Sequence, residues 1–481
     1  MFNRIMKRGH KKPSKPEAVE TPVPTTSPLP NVTVNHASRA TAPAPQPAQP
    51  VSHTVVPPNP GVVEVLPMVK DVPLPERHAM FIRKLQVCCI SFDFADTMKS
   101  VREKEIKRQT LSELVELVHS GSFKMNEIMQ EQLINMISIN IFRPLPPAAH
   151  ETTGAAGGDP EEEEIYMEPA WPHLQIVYEL LLRYIVSSDT DIKIAKRYID
   201  HSFVLKMLGI FDSEDPRERE YLKTVVHRVY ARFMIHRPFI RSSINNILCR
   251  YMFETERYNG IVELLDIISS VITGLVLPIK EEHKLFLVRV LIPLHKSKGI
   301  ASFHQQLSCC ITQFVEKDYR LADIVIKGVL KYWPLSNCGK EVLFLGEIEE
   351  ILEATQSPEF QRCMVPLFRQ VARCINSPHF QVAERALFMW NNEQIVGLVA
   401  ENRHVILPII FSALEHNIQD HWNQAISGLT TNVRRMFLEM DAELFEECQQ
   451  KHEEKEASAG AVEERRLSTW RRLEEAAGAH H

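Results

Sequence analysis

Apolar side chains recur three and four positions apart over most of the chain, from about residue 74 to about residue 448. This spacing places them on one face of a helix. Clear examples are the stretches 176–185, 222–234 and 368–375. The alternation typical of strands is almost absent, and no Asn-Gly turn joins two alternating runs. The pattern therefore predicts an all-α protein.

A repeat of about 40 residues runs through the second half of the chain. The prolines that recur in or beside apolar segments are Pro238, Pro278, Pro293, Pro334, Pro366 and Pro408. The first two are 40 residues apart, and the last four are separated by 41, 32 and 42 residues. A period near 40 with two helices per unit is typical of HEAT and armadillo arrays. The gap of 32 leaves a generic helical bundle open, but the many short helices favour a solenoid.

Three regions differ in composition. Thirteen of the first 60 residues are proline, and such a segment cannot build a core, so residues 1–70 are predicted to be a disordered tail. Residues 71–449 form the predicted solenoid. It is interrupted at 143–172 by a loop rich in proline, glycine and acid. Residues 450–481 are highly charged and predict an exposed, helical or frayed C-terminal tail.

The composition excludes several classes of protein. The formal charge of −6 over 481 residues argues against a nucleic-acid partner. Nine dispersed cysteines without a C-x-x-C fit a reducing compartment. The sequence contains no run of about 18 apolar residues, so no membrane span is predicted. We therefore expect a cytoplasmic protein, and the weak basic cluster Lys7, Arg8, Lys11 and Lys12 raises nuclear entry as an alternative to a merely solvated tail.

The chain carries none of the usual signatures of catalysis or cofactor binding. The phosphate-binding loop G-x-x-x-x-G-K-[ST], G-x-G-x-x-G, G-x-S-x-G and H-E-x-x-H are all missing from the sequence. The 20 histidines show no metal-ligand spacing on one helix face. We therefore expect no catalytic residue, no metal and no cofactor. A binding protein is favoured because solenoids expose long surfaces.

The predicted helix at 222–233 has two different faces. One face is apolar, and the other carries Thr224, His227 and Arg228, with Arg237 and Arg241 following. Arginine pairs well with carboxylate and phosphate, so this face suits an acidic or phosphorylated partner. The alternative is an ordinary solvated basic face.

The next predicted helix, near 260–273, carries more apolar surface than a core needs. Ile267 and Val271 add a second strip beside the main stripe, and Lys280 and His283 supply cationic groups beyond its end. Together the two helices predict a groove for an extended segment with apolar anchors and a following acid. The alternative is that Ile267 and Val271 merely pack on the adjoining helix.

Several long blocks resemble the B-prime regulatory subunits of protein phosphatase 2A. These blocks are DPEEEEIYMEPAWPHLQ (159–175), FDSEDPREREYLKTVVHRVYARF (211–233), NGIVELLDII (259–268), LPIKEEHK (277–284) and SPHFQVAERALFMWNNE (377–393). They occur in family order, and the resemblance runs from about residue 80 to 470. The proline-rich start resembles plant-type members.

The resemblance implies a curved stack of about eight HEAT-like repeats and a subunit without activity of its own. Such a subunit joins a scaffold subunit and a catalytic subunit, and it recruits substrates that carry L-x-x-I-x-E motifs. By resemblance, Ile267 and Val271 would line the pocket for the motif's isoleucine, and Lys280 and His283 would face its glutamate. The residues expected to hold further acid or phosphate, or to lie beside it, are Thr224, His227, Arg228, Tyr230 and Arg237. Val271 stands where the family leads us to expect isoleucine.

The acidic stretch before the two-faced helix also has a counterpart in the family. By resemblance, Glu214, Asp215, Glu218 and Glu220 would face the catalytic subunit. Local physics offers a second interpretation, in which Asp212 or Ser213 caps the helix and the acids favour its first turn. A transport or assembly adaptor of the armadillo type is the alternative function. It would need a ladder of Trp and Asn, which the five tryptophans do not form.

Overall fold

The computed structural model describes residues 63–121, 124–146 and 166–478. These residues contain twenty α-helices and no strand. The helices are α1 (Arg77–Cys88), α2 (Val101–His119), α3 (Glu127–Ile141), α4 (Trp171–Val186), α5 (Ile192–Tyr198), α6 (His201–Ile210), α7 (Pro216–Arg232), α8 (Arg237–Arg250), α9 (Ile261–Thr273), α10 (Glu281–Phe286), α11 (Ile292–Leu294), α12 (His304–Lys317), α13 (Ala322–Lys331), α14 (Cys338–Glu353), α15 (Ser357–Ile375), α16 (Phe380–Phe388), α17 (Glu393–Glu401), α18 (Arg403–Asp420), α19 (Gln424–Met440) and α20 (Ala442–Gly478). A π-helical turn, Leu287–Leu291, joins α10 to α11.

Short polar side chains start many of these helices. Asn126, Asp200 and Asn337 each accept a hydrogen bond from the backbone N–H three residues ahead. Asp191 and Asn423 do the same two residues ahead. Each bond satisfies a donor that the helix leaves free, and its loss costs about 1 kcal/mol. The helix starts are therefore specified locally by the sequence.

The helices stack in two rows. In one row α2, α4, α7, α9, α12, α14, α16 and α19 each pack on the next. The other row begins with α3, which packs on α5; in it α6 packs on α8, α8 on the π-helical turn before α11, and α11, α13, α15, α18 and α20 each on the next. Pairing one helix from each row gives eight hairpin units in the described residues. Their apolar faces meet between the rows in one continuous core. This arrangement confirms the predicted all-α solenoid of HEAT-like repeats.

Hydrogen bonds between neighbouring units measure the repeat directly. Arg219 bonds Glu263 over 44 positions, Lys223 bonds Asp266 over 43, and Ser357 bonds Glu401 over 44. The period near 40 is therefore confirmed. Pro334 gave the irregular gap of 32 because it lies in the turn after α13, whereas Pro366 and Pro408 lie inside α15 and α18.

The ends of the solenoid refine the predicted regions. Residues 1–62 of the predicted tail lie outside the described residues. Val69, in contrast, is buried, and its backbone N–H donates to Glu113, so the packed structure begins before residue 71. Of the predicted loop at 143–172, the structure describes residues 143–146 and 166–172. The C-terminal segment is helical, because α20 runs without a break from the solenoid to Gly478.

Within the described ranges, no individual helix has both the length and the apolar character needed to cross a bilayer. Only α17 with α18 meets the length and composition test as a pair, and these two helices meet at 107°.

Candidate functional site

Helix α7 displays the predicted basic face. Asp215 caps its first turn, Pro216 occupies the first position, and the stripe Leu222, Val225, Val226 and Val229 is fully buried. This fixes the roll of the helix about its axis. Thr224 is half-buried, whereas His227 and Arg228 are exposed. The prediction that these three side chains lie on the face away from the core is confirmed.

Three cationic side chains near this face have no opposite charge of their own. Among the described residues, His227, Arg228 and Lys280 have no ion-pair partner, and Lys280 is exposed just before α10. Their neighbour Lys223 is different, because it bonds Asp266 at 3.0 Å and Glu220 at 2.8 Å and so ties α7 to α9. These three cations, two on α7 and one just before α10, are therefore available to pair with an anionic ligand. Glu281, next to Lys280, is an exposed acid that likewise has no ion-pair partner among the described residues.

Arg237 is held against the end of α7. Its Nε donates to the carbonyl of Tyr230 at 2.8 Å and its Nη2 to that of Ala231 at 3.0 Å. The guanidinium also lies 5.2 Å from the centroid of the Tyr230 ring. These contacts satisfy carbonyls at the C-terminal end of the helix. They hold the side chains of Arg237 and Tyr230, which both belong to the predicted site, in place. Nη1 of Arg237 makes no hydrogen bond to described residues.

Arg241 connects the two halves of the site. It donates to the Tyr230 hydroxyl at 3.2 Å and to Glu282 Oε1 at 3.4 Å. Glu282 in turn lies 3.4 Å from His283 Nε2. From the sequence, Arg241 was identified only as a further cationic residue after Arg237. Its position one turn further along α8 was the signal that it shares the same face.

The two apolar residues predicted for the site have different fates. Ile267 is only 1% exposed, belongs to the core and is not among the side chains that line the pocket described below. Val271, at 9% exposed, lies at the edge of the core. Gly260, just before α9, lies against the backbone of Phe211, since a Cβ at Gly260 would stand 2.5 Å from the Phe211 backbone oxygen. This close approach helps to position α9. The alternative of simple packing therefore describes Ile267, and the pocket interpretation describes Val271.

A pocket of about 410 Å³ opens beside Val271. Apolar side chains from three helical units form its floor, and Arg241, Glu282, His283 and Arg289 form its polar rim. The apolar lining consists of Pro238, Ile268, Val271, Ile272, Leu275, Leu285, Phe286, Val290 and Phe314. Most of this lining escaped prediction because it comes from segments up to 76 residues apart in the chain (Pro238 to Phe314). A pocket of this size and character accepts an apolar side chain.

His283 is poised for an acidic ligand. Burial lowers the pKa of His283, Glu282 opposes this effect, and Arg241 and Lys280 lower the pKa further. The ring is therefore neutral at pH 7 while the pocket is empty. A carboxylate bound beside it would raise its pKa and favour the charged form.

Two of the four acidic residues predicted to face a partner are buried. Glu218 is fully buried, accepts two hydrogen bonds from Arg143 at 2.8 and 2.9 Å, and accepts a third from the Tyr178 hydroxyl at 2.7 Å. Asp215, also fully buried, accepts from the backbone N–H groups of Glu168 and Arg217. The prediction that these two carboxylates lie on a contact surface is wrong for this structure, because internal donors surround them.

The other two acids leave the prediction open. Glu220 is exposed, and Glu214 is half-buried. The local prediction of a helix cap is right in kind but wrong in residue. Asp215 is the cap, while Asp212 accepts a hydrogen bond from the backbone N–H of Asn259 instead. The helix begins at Pro216 because proline suits the first helical position.

One buried cluster of polar side chains was missed entirely. Glu347 Oε2 lies 2.8 Å from His295 Nε2 and 2.9 Å from His304 Nε2, and His295 Nδ1 lies 2.7 Å from the carbonyl oxygen of Ile292. Burial raises the pKa of Glu347, but the charges and hydrogen bonds of the two imidazoles outweigh burial and lower it to about 2. The three side chains could offer ligand atoms to one metal ion, but their separations are those of direct hydrogen bonds. The cluster joins α11, α12 and α14.

A family model described as "Protein phosphatase 2A regulatory B subunit (B56 family)" matches residues 66–477. The match covers the whole solenoid and most of α20.

Curated relatives agree with this match. The chain is 65% identical to the B' beta isoform of the 57 kDa regulatory subunit of serine/threonine protein phosphatase 2A from Arabidopsis thaliana, over 99% of this chain and 97% of that protein. It is 62% identical to the B' alpha isoform of the same plant, with the same coverage. It is 54% identical to the B' kappa isoform of Oryza sativa subsp. japonica, over 86% of this chain and 81% of that protein.

Proposed function

The chain belongs to the B56 family of protein phosphatase 2A regulatory B subunits, and we propose that its α7–α10 surface recruits substrates by holding short acidic and apolar segments. It is a regulatory subunit, not a catalytic one. The proposed motif groove consists of Thr224, His227, Arg228, Tyr230, Arg237, Val271, Lys280 and His283. The proposed ligand is a segment of the form L-x-x-I-x-E.

The observation that carries this proposal is the combination of unmatched positive charge with an apolar pocket. His227, Arg228 and Lys280 have no ion-pair partner in the described chain, and the pocket of about 410 Å³ lies beside Val271. An extended chain advances about 3.4 Å per residue, so six residues span about 17 Å. That length is enough to cross two neighbouring helices, whose axes lie about 8–10 Å apart.

The side chains have distinct parts in the proposed complex. The isoleucine of the motif enters the pocket beside Val271, and the following glutamate pairs with Lys280 and His283. A further acid or phosphate in the segment pairs with His227 and Arg228, and Nη1 of Arg237 is a further donor for it. Thr224 and Tyr230 offer hydroxyl groups nearby. Ile267 is buried in the core and takes no direct part in the proposed complex.

The test is binding of an L-x-x-I-x-E peptide measured by isothermal titration calorimetry. The double variant His227→Ala with Arg228→Ala is expected to weaken binding at least tenfold, because about 1.4 kcal/mol is lost. Replacing the peptide's isoleucine by alanine should weaken binding as well. The matched control replaces two exposed cationic residues outside the groove, Arg369 on α15 and His404 on α18. Equal affinity of the groove variant and the control variant would reject the groove.

A second surface fits assembly with the other phosphatase subunits. Because the first helices of the hairpins stack on one another, the turns at their C-terminal ends follow one edge of the solenoid. These turns expose large apolar side chains in successive units: Val186, Met234, Ile235, Val276, Leu277 and Tyr319. Repeated exposed apolar groups are typical of a protein interface. We propose that this edge contacts the scaffold subunit, and that Glu214 and Glu220 face the catalytic subunit.

Purification of the tagged full chain from plant extract tests the assembly. Scaffold and catalytic subunits are both expected in the eluate, whereas the chain alone should hydrolyse no phosphate ester. Replacing Met234, Ile235, Val276 and Leu277 by serine should reduce recovery of the scaffold and leave peptide binding intact. Recovery of neither partner with the unmodified chain would contradict the proposal.

We propose that the protein acts in the cytoplasm. The cytoplasm is the expected location, with nuclear access as the alternative. The basic residues Lys7, Arg8, Lys11 and Lys12 lie outside the described residues. The transport-adaptor alternative loses its basis, because the chain belongs to the phosphatase regulatory family over nearly its whole length.

A further inference from the structure

The last part of α20 contributes nothing to the packing of the fold. Every residue from 453 to 478 is exposed, whereas Phe445 and Cys448 at the start of the same helix are buried. The exposed stretch buries no side chain against the solenoid, so opening its last turns breaks only local helical hydrogen bonds. Such segments open at low free-energy cost. The segment is therefore accessible to an enzyme that binds extended chain.

A concentrated basic block lies within this accessible stretch. Residues 465–472 read RRLSTWRR, which is four arginines and no acid, while the preceding residues 453–464 include Glu453, Glu454, Glu456, Glu463 and Glu464. Ser468 occupies the middle of the block, with Arg465 three residues and Arg466 two residues before it. The block is thus a local reversal of charge centred on a hydroxyl group.

The helix places several of these arginines around Ser468. Arg465, Arg471 and Arg472 stand three before, three after and four after it, which are the spacings of neighbours on a helix surface. The Ser468 hydroxyl now donates only to the carbonyl of Arg465 at 2.9 Å. Among the described residues, Arg471 and Arg472 have no ion-pair partner, and Arg466 has only a contact of 3.9 Å with Glu463.

We propose that Ser468 is a phosphorylation site for a serine/threonine kinase that recognises arginines before its target. The two arginines that precede Ser468 would pair with carboxylates of such a kinase. In the transfer, Ser468 Oγ bonds to the γ-phosphorus of a nucleoside triphosphate, and the bond from that phosphorus to the bridging oxygen breaks. The nucleoside diphosphate leaves with the electron pair, and the hydroxyl proton passes to the base of the kinase.

The modified side chain changes the character of the block. A phosphate adds a charge of about −1.5 to −2 at pH 7, so it neutralises roughly half of the four positive charges. Arg465, Arg471 and Arg472 can reach it from within the helix. The phosphoserine therefore becomes an internally paired group in a segment that previously presented bare positive charge. This device is independent of the motif groove, and its failure would leave the proposed function untouched.

Phosphorylation of the full chain by an arginine-directed kinase with magnesium and ATP tests the site. Mass spectrometry is expected to locate phosphate on Ser468, and Ser468→Ala should remove it. Arg465→Ala with Arg466→Ala should slow its incorporation at least tenfold. The matched control is Ser458→Ala, because Ser458 lies in the same exposed helix without nearby arginines. The proposal is overturned if Ser468 stays unmodified, if Thr469 takes the phosphate instead, or if the arginine variant is modified at the same rate.

A titration followed by ³¹P resonance tests whether the arginines pair with the phosphate. The second pKa of the phosphoserine should be lower in the intact block than in the variant Arg471→Ala with Arg472→Ala, by about 0.3 unit per arginine. These two arginines follow the target, so the variant keeps both residues that precede it. Equal pKa values in the two proteins would contradict the pairing.

Discussion

The motif groove and the buried polar clusters contain the same kinds of cationic side chain. The buried clusters pair these cations with acids, whereas the groove leaves several of them unpaired. In the interior, Arg143 is matched by Glu218 and Glu168, and His295 and His304 are matched by Glu347. On the groove, His227, Arg228 and Lys280 have no such partner in the described chain. The difference lies in the pairing of charges and not in the residue types.

This contrast separates a structural role from a binding role. A buried charge without a partner would be strongly destabilising. Buried ions are therefore matched by an opposite charge, as in these clusters, or by hydrogen-bond acceptors, as at Lys107. An exposed charge faces no such penalty and stays available to a ligand. Exposed cations of the described chain that have no ion-pair partner are therefore the first candidates for pairing with a ligand.

The largest expected effect comes from breaking a buried match. Glu218→Ala would leave the Tyr178 hydroxyl without its acceptor and Arg143 with Glu168 alone. We expect a loss of about 3–5 kcal/mol, seen as a lower melting temperature in circular dichroism at 222 nm. Glu220→Ala is the control. Glu220 is exposed and pairs only with Lys223 and should cost less than about 1 kcal/mol. Similar melting temperatures for the two variants would remove the distinction between buried and exposed acids.

Glu347 offers a smaller effect that depends on pH. Its pKa in the folded protein is lowered from 4.5 to about 2. Its stabilising contribution is therefore fully present above about pH 4.5 and is lost as the pH falls towards 2. Glu347→Gln should lower the melting temperature at pH 7 by the equivalent of about 2 kcal/mol. The gap between variant and unmodified chain should narrow in the acid range. A gap that stays constant from pH 7 to pH 3 would show that the imidazoles do not stabilise the carboxylate.

The smallest expected effects distinguish the two apolar residues of α9, Ile267 and Val271. Val271→Ile adds a methylene group at the pocket and should tighten an L-x-x-I-x-E peptide by no more than about 1 kcal/mol. Ile267→Val removes a methylene group from the core and should lower stability by about 0.5–1.5 kcal/mol with little effect on the peptide. Calorimetry and thermal melting of both variants would check this. Peptide binding that responds more to residue 267 than to residue 271 would place the pocket elsewhere.

The fold was largely predictable because its determinants are local. Apolar spacing in each helix, Asn and Asp caps and a period near 40 residues all occur within short stretches of sequence. The proline pattern was less reliable. Pro366 and Pro408 mark equivalent helices, but Pro334 falls in a turn, where proline is equally acceptable.

The site was predictable only in part because burial depends on distant partners. The exposed face of α7 follows from its own periodicity. The burial of Glu218 does not, since it requires Arg143, 75 residues away, and Tyr178, 40 residues away. Likewise, nothing local distinguishes Ile267 from Val271. The cluster of His295, His304 and Glu347 joins three helical units, so its members are too far apart in the sequence to show metal-ligand spacing.

The central claim is that an unmatched groove cation pairs with the motif's glutamate, and a double-mutant cycle measures this pairing directly. Peptides ending in glutamate or glutamine are titrated into the unmodified chain and into Lys280→Gln. Replacing the peptide's glutamate should weaken binding to the unmodified chain about fivefold to tenfold, and by much less for the variant, giving a coupling of about 1 kcal/mol. An equal loss for both proteins would contradict the account.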